Sequence, residues 1–313
     1  MKLLKKIIFP IIIVIIIYAI FLFLTDIDKI ADKIINFKLE FVPIIIALVV
    51  SSWIIVYFRW NLMLKHLGYN IPHKINFQIY LVGGALGITP GKIGELYKTQ
   101  ILKDKFNIPR AKTFSLFILE KLFDVGGALV VTCFGIWFIP ELGYLSVIGL
   151  IFVLIGFKIL SSKIFFNRFL GFFERIKFFK TYLQSLSSSH DTFLDLLQKK
   201  NIFLFSSLSI SYWIIIGTAA FFVVQGLGFI EIPFMNMLSI YSSSLIVGAI
   251  SFIPAGIGIA EGSLIGLFTI QNVELSNAIV AVVLIRLFTL WFSTIAGFIA
   301  IKTSNVLSNT TNE

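Results

Sequence analysis

Donors for a metal or a disulfide are scarce in this chain. Its single cysteine, Cys133, sits inside an apolar run, which excludes an internal disulfide and any cysteine-based metal cluster. The three histidines, His66, His73 and His190, fall in stretches read as loops and have no ligand spacing. No metal site is expected, because zinc and iron centres need three or four convergent donors. Charge is thin as well: 13% of residues are Asp, Glu, Lys or Arg against 58% hydrophobic, and the mean hydropathy is +0.97. This is too apolar for a soluble globule and indicates an all-α, polytopic membrane protein. A β-barrel is not expected, since its strands alternate in polarity whereas these runs stay apolar for about 20 residues. There is no glycine-rich loop ending in Lys-Ser or Lys-Thr, so no nucleotide drive is expected. A net charge of +10 would point to nucleic acid in a soluble protein. Here the cations lie in loops between apolar spans, where they set topology and meet lipid headgroups instead.

What the chain does have is an internal echo. The stretch Gly83-Gly84-Ala85-Leu86-Gly87-Ile88-Thr89-Pro90-Gly91-Lys92-Ile93-Gly94-Glu95 returns as Val247-Gly248-Ala249-Ile250-Ser251-Phe252-Ile253-Pro254-Ala255-Gly256-Ile257-Gly258-Ile259-Ala260-Glu261. Aligned on Pro90 and Pro254, the copies match at Leu81/Leu245, Gly84/Gly248, Ala85/Ala249 and Gly94/Gly258, and each reaches a glutamate. A cation follows each at nearly equal distance, Lys121 after Pro90 and Arg286 after Pro254.

Charge along the chain assigns sides. Lys2, Lys5 and Lys6 precede an apolar run over 7–24 that is too long for a signal-peptide core and is followed by no small-residue cleavage site. It reads as a retained first helix with a cytoplasmic N-terminus. A second helix over 41–58 leads to Arg59, Lys65, His66 and Lys74, read as cytoplasmic bases. From residue 76 the chain is apolar only to 88, about 20 Å of helix, too short for a ~30 Å core. It breaks at Thr89-Pro90-Gly91 before Lys92, Lys98, Lys103, Lys105, Arg110 and Lys112. A re-entrant hairpin near 77–95, open to the cytoplasm, fits this; an ordinary loop is the alternative. Such a break survives at membrane depth only when buried in protein or lining a wet cavity. Helices over 113–139 and 142–160 complete a first repeat, 1–160. Residues 161–200 are rich in Phe and basic residues and read as a cytoplasmic interfacial linker. The second repeat, 201–303, has no lysine or arginine before Arg286. Its hairpin near 235–271 is therefore expected to open outward, although a full span over 237–252 remains an alternative. Helices over 201–225 and 276–301 flank it, and 304–313 is a cytoplasmic tail. The architecture expected is two inverted repeats, each with a re-entrant hairpin, in a multi-pass protein of the cytoplasmic membrane with both termini inside.

Glu120, Lys121 and Asp124 fall about one third of the way into the helix over 113–139, where charges should face partners or water rather than lipid. A self-neutralising pair that only fixes packing is one reading. The other is a site for a phosphate or similar oxyanion, built from helix N-termini, accessible amides around Gly91-Lys92 and Gly256-Ile257-Gly258, and the cations Lys121 and Arg286. Glu95 and Glu261 could each hold the cation of their own repeat until a headgroup displaces it, or receive a cationic headgroup. The candidate substrate-binding set is Pro90, Gly91, Lys92, Gly94, Glu95, Glu120, Lys121, Asp124, Pro254, Gly256, Gly258, Glu261 and Arg286, with no catalytic, metal or cofactor residue.

These motifs, from Pro90-Gly91-Lys92-Ile93-Gly94-Glu95 and Glu120-Lys121-Leu122-Phe123-Asp124 to Pro254-Ala255-Gly256-Ile257-Gly258-Ile259-Ala260-Glu261 and Arg286, carry a resemblance. The chain resembles the flippase-like transmembrane domain of lysylphosphatidylglycerol synthases, which also occurs as stand-alone proteins. It departs from them in having no aminoacyl-transferase domain, and in Lys92 and Lys121 where arginine would be expected. The resemblance implies movement of a phospholipid or lipid-linked headgroup between leaflets, without synthesis of that lipid. Membrane lipids with anionic or zwitterionic headgroups are the partners implied. Nucleic acid is not, and a second copy or an envelope-biosynthesis protein is left open. Two other readings compete: an enzyme acting on a polyprenyl phosphate, which would want a His/Asp or metal cluster, and a scaffold or accessory subunit for envelope assembly.

Overall fold

The computed structural model describes residues 35–89, 94–135, 139–173, 190–228 and 230–303. The run over 7–24, Pro90, Gly91 and Lys92 of the candidate set, most of the basic linker beyond residue 173 and the tail lie outside the described residues. Within them every regular element is helical. Helix α1 runs Val42–His66, α2 His73–Leu86, α3 Tyr97–Phe106, α4 Arg110–Thr132, α5 Pro140–Ser161, α6 Lys163–Phe173, α7 His190–Leu196 and α8 Lys199–Leu227. The second half continues with α9 Phe234–Ile250, α10 Ile259–Ile270, α11 Leu275–Arg286 and α12 Phe292–Thr303, the last two joined by one π-helical turn, Leu287–Trp291.

Local chemistry sets the ends. Pro43 and Pro140 stand in the first turns of α1 and α5, where a missing amide donor costs nothing. Asn107 and Gly228, both left-handed, stop α3 and α8. Four segments are long and apolar enough to cross a membrane: Leu39–His66, Leu142–Ser161, Lys199–Leu227 and Leu275–Thr303. On α5 the side chains of Tyr144, Val147, Ile148, Ile151, Phe152 and Leu154 point out of the protein, as expected of a helix bathed in lipid. The chain is a multi-pass membrane protein.

Between the long helices lie two pairs of shorter helices, α2 with α3 and α9 with α10. In the second, α9 and α10 run antiparallel: Gly248 lies against Ala260 and Gly256 near the turn, and Asn236 Nδ2 donates to Gln271 Oε1 (3.0 Å) at the far end. Helix α9 docks on α4, where Thr132 and Ser242 share a 2.8 Å hydrogen bond and Ser239 Oγ donates to Thr132 O at 2.8 Å. Helix α2 of the first pair docks on α12, and Gly297 makes this possible: a methyl group there would stand 2.7 Å from Leu81 O. Helices α1 and α8 pack side by side.

Several boundaries differ from the sequence reading. Helix α1 does not stop at Phe58 but continues two turns to His66, because apolar residues recur at Trp60, Met63 and Leu64 and are fully buried there. Arg59 therefore lies inside a helix and inside the protein instead of in a cytoplasmic loop. The helix expected over 113–139 begins at Arg110 and gives way to a tight turn, Cys133–Gly135. His66, His73 and His190 sit at helix ends rather than in loops.

Candidate functional site

Helix α4 is long enough to cross, yet it carries Glu120, Lys121 and Asp124 in its middle turns. An isolated charge there would cost several kcal/mol. The fold answers by bringing opposite charges from three other places. From α1, Arg59 places Nη2 2.7 Å from Asp124 Oδ1 and 3.8 Å from Glu120 Oε1, and its Nη1 donates to Ser209 Oγ on α8. From α3, Lys98 Nζ donates to Glu120 Oε2. From the turn preceding α3, Glu95 Oε2 meets Lys121 Nζ at 2.6 Å, with Asp124 Oδ2 3.9 Å from the same ammonium. Tyr80 of α2 donates its hydroxyl to Glu120 Oε1 (2.8 Å). Among the described residues the cluster thus gathers three cations and three carboxylates.

Aromatic rings wall it in. Lys98 Nζ lies 4.1 Å over the Trp60 ring and 4.9 Å over Tyr80, so its charge is met by π faces where carboxylates do not reach. Trp60 Nε1 donates to Asn76 Oδ1 (3.3 Å), Asn76 Nδ2 donates to Asn61 Oδ1 (2.9 Å), and Trp213 Nε1 donates to the Asp124 carbonyl (2.8 Å). Arg59 and Lys98 are closed off from the surface at 0% and 1% exposure. The Lys121 and Glu95 side chains retain 28% and 12%, so the network opens on this side.

The second half repeats the pair. Arg286 Nε donates to Glu261 Oε1 at 2.6 Å, with both side chains essentially buried, and Nη2 reaches Ala255 O at 3.4 Å. The other carboxylate oxygen of Glu261 accepts the Gly258 N–H (2.7 Å) at the start of α10. Between α9 and α10 the turn Pro254–Gly256 and its neighbours carry left-handed backbone at Phe252, Ala255, Gly256 and Gly258.

The structure brings Glu95, Glu120, Lys121 and Asp124 into one cluster, and Pro254, Gly256, Gly258, Glu261 and Arg286 into a second. Gly94 lies beside the first, its N–H donating to Thr89 Oγ1 (2.6 Å) where a side chain would strike Leu86 O. Sequence reasoning missed Arg59 and Lys98, taking both for loop cations. The signals were present: Arg59 is followed by apolar residues at helical spacing, and Lys98 shares a face with Ile101 and Leu102, whereas Lys103 lies on the solvent side of α3. Among the described residues no group of His, Cys, Asp and Glu is placed to hold a metal ion.

The model of the lysylphosphatidylglycerol synthase transmembrane region matches residues 10–297. The chain belongs to that family. Among its curated relatives are two membrane proteins of Methanocaldococcus jannaschii. UPF0104 membrane protein MJ1078 is 26% identical over 72% of this chain and 97% of its own length, and UPF0104 membrane protein MJ1595 is 26% identical over 87% of each chain. UPF0104 membrane protein PH1989 of Pyrococcus horikoshii is 27% identical over 84% of this chain and 87% of its own. Both ion clusters lie within the matched residues.

Proposed function

We propose that this member of the family is a lipid translocase that moves a phosphate-bearing headgroup between leaflets of the cytoplasmic membrane without hydrolysing it. The observation that carries the reading is the Lys121–Glu95 pair: a cation of a membrane-length helix left partly open to the outside of the protein and backed by a buried, ion-paired network. A charge held at that depth needs a partner, and a lipid phosphate is the oxyanion a membrane supplies in abundance.

The arrangement of elements supports two inverted repeats around that site. Helix α2, which leads to Pro90, docks on α12 of the other half; α9, which leads to Pro254, docks on α4 of the first. Each half lends its short arm to the other half's long helix, and α1 pairs with its counterpart α8. This exchange is what a two-fold relation produces. The arms α2 (14 residues) and α10 (12 residues) are shorter than the ~20 residues a full crossing needs, which supports hairpins that enter and leave on one side.

Reconstitution into liposomes carrying fluorescent phospholipids tests the function. Dithionite should quench inner-leaflet label faster than in protein-free vesicles for at least one headgroup, and Lys121→Ala should slow that quenching about tenfold or more, the loss that removing one charge-assisted contact gives. Quenching no faster than in empty vesicles across anionic and zwitterionic headgroups would refute the reading.

A further inference from the structure

Resting on the translocase reading, we propose that Glu95 is an internal surrogate for the substrate: its carboxylate occupies Lys121 until an oxyanion, the headgroup phosphate, takes its place, whereas the matching Glu261–Arg286 pair is a fixed latch that no ligand enters. In sequence the two pairs look equivalent, with intervals of 26 and 25 residues. Their surroundings are not. Lys121 and Glu95 keep 28% and 12% of their side-chain surface, against 4% and 1% for Arg286 and Glu261.

The second pair is also tied to backbone. Both oxygens of Glu261 are engaged, one by Arg286 Nε and the other by the Gly258 N–H, and Arg286 also reaches Ala255 O. The pair thereby ties α11 to a turn with positive φ at Phe252 (55°), Ala255 (51°), Gly256 (67°) and Gly258 (87°). A backbone in that region is held only where its surroundings over-determine it, and withdrawing Glu261 would release both the turn and a buried guanidinium. Glu95 Oε2 sits on Lys121 while Oε1 faces Gly87, where the absent side chain leaves room beside the backbone of the first hairpin.

Lys121 is suited to exchanging partners. Asp124 Oδ2 lies 3.9 Å from the ammonium and the Phe117 ring centre 5.4 Å from it, so a countercharge and a π face remain beside Lys121 should Glu95 leave. A carboxylate and a phosphate make the same kind of charge-assisted bond to an ammonium, so one can stand in for the other at small net cost. In the resting protein Glu95 competes with the ligand. Removing that competitor should therefore strengthen binding, an outcome that loss of a merely structural contact would not produce.

The full-length protein in maltoside micelles is titrated calorimetrically with dihexanoylphosphatidylglycerol and, in a parallel arm, with inorganic phosphate. Glu95→Gln should tighten binding about fivefold, the upper range for a partly exposed ion pair. Should Glu95→Gln fold poorly, Glu95→Asp, one methylene shorter, should tighten binding in the same direction. Lys121→Gln should abolish binding and Lys121→Arg restore it. The exposed control Asp104→Asn changes net charge equally and should not tighten it; Glu261→Gln should lower the melting temperature without reproducing the tightening. Unchanged or weaker binding in both Glu95 variants, or equal tightening in Asp104→Asn, overturns the proposal. Tightening for inorganic phosphate alone keeps the exchange and removes the lipid as ligand. Tightening for the lipid with no leaflet transfer in liposomes keeps the exchange and removes translocation.

Discussion

At the residue scale the balance of charge is decided inside α4. Three ionisable groups within five positions of a membrane-length helix would be intolerable alone, and each is answered by a residue distant in sequence: Lys121 by Glu95, Glu120 by Lys98, Asp124 by Arg59. Arg59 is the most deeply committed of these, at 0% exposure. Arg59→Ala is expected to cost about 3 kcal/mol, because Asp124 loses its nearest countercharge and the buried Glu120 keeps Lys98 alone. Pairing it with Asp124→Asn should recover part of that loss. Thermal shifts of the two single variants and the double, arranged as a cycle, measure the coupling, and strictly additive losses would refute the pairing. Residue identities made Glu95–Lys121 and Glu261–Arg286 legible as pairs, because the intervals repeat. Arg59 and Lys98 were not legible in that way, since a basic residue next to other bases looks like topology until a helix is seen to bury it.

At the scale of elements, the turn between α9 and α10 and the contact of α2 with α12 carry the fold. Gly256, at φ +67°, lies so close to Gly248 that a methyl group would meet its Cα at 2.9 Å. Gly256→Ala should therefore destabilise by about 1–3 kcal/mol through backbone strain alone. Gly297→Ala should act differently. It sits in regular helix, but its new methyl would press on Ala85 and Leu81 and separate α2 from α12, an overpacking cost of about 1–3 kcal/mol. Melting curves in detergent report both losses, and a Gly297→Ala protein as stable as its parent would contradict the tight helix contact. The short helices α2, α9 and α10 could be read from the lengths of apolar runs and from Pro254. The helix each arm docks on could not, because docking depends on small residues at Gly297, Ser239 and Ser242 meeting across more than 100 residues of chain.

At the scale of the whole molecule, the charge pattern and the fold bear on orientation. Lys103, Lys105, Arg110 and Lys112 follow the segment at Pro90, while 201–285 holds no lysine or arginine. The segment at Pro90 should face the cytoplasm and the one at Pro254 the outside. Single cysteines, Gly91→Cys and Ala255→Cys in a Cys133→Ser background, test this with a membrane-impermeant maleimide on intact cells. Labelling is expected at Ala255→Cys alone, and labelling of both from outside would sink the inverted arrangement. What the sequence by itself determined is the class of molecule: an apolar excess too large for water, helical spans whose length matches a bilayer, and a doubled motif ending in an acid and a cation. These are local quantities, set by composition, run length and spacing. Only the tertiary structure decided that Arg59 and Lys98 leave the loops for a buried network, that α2 and α9 each dock on the opposite half, and that one of two similar ion pairs stays open while the other closes. Burial is a property of the surrounding atoms, and those arrive from helices far away in the chain.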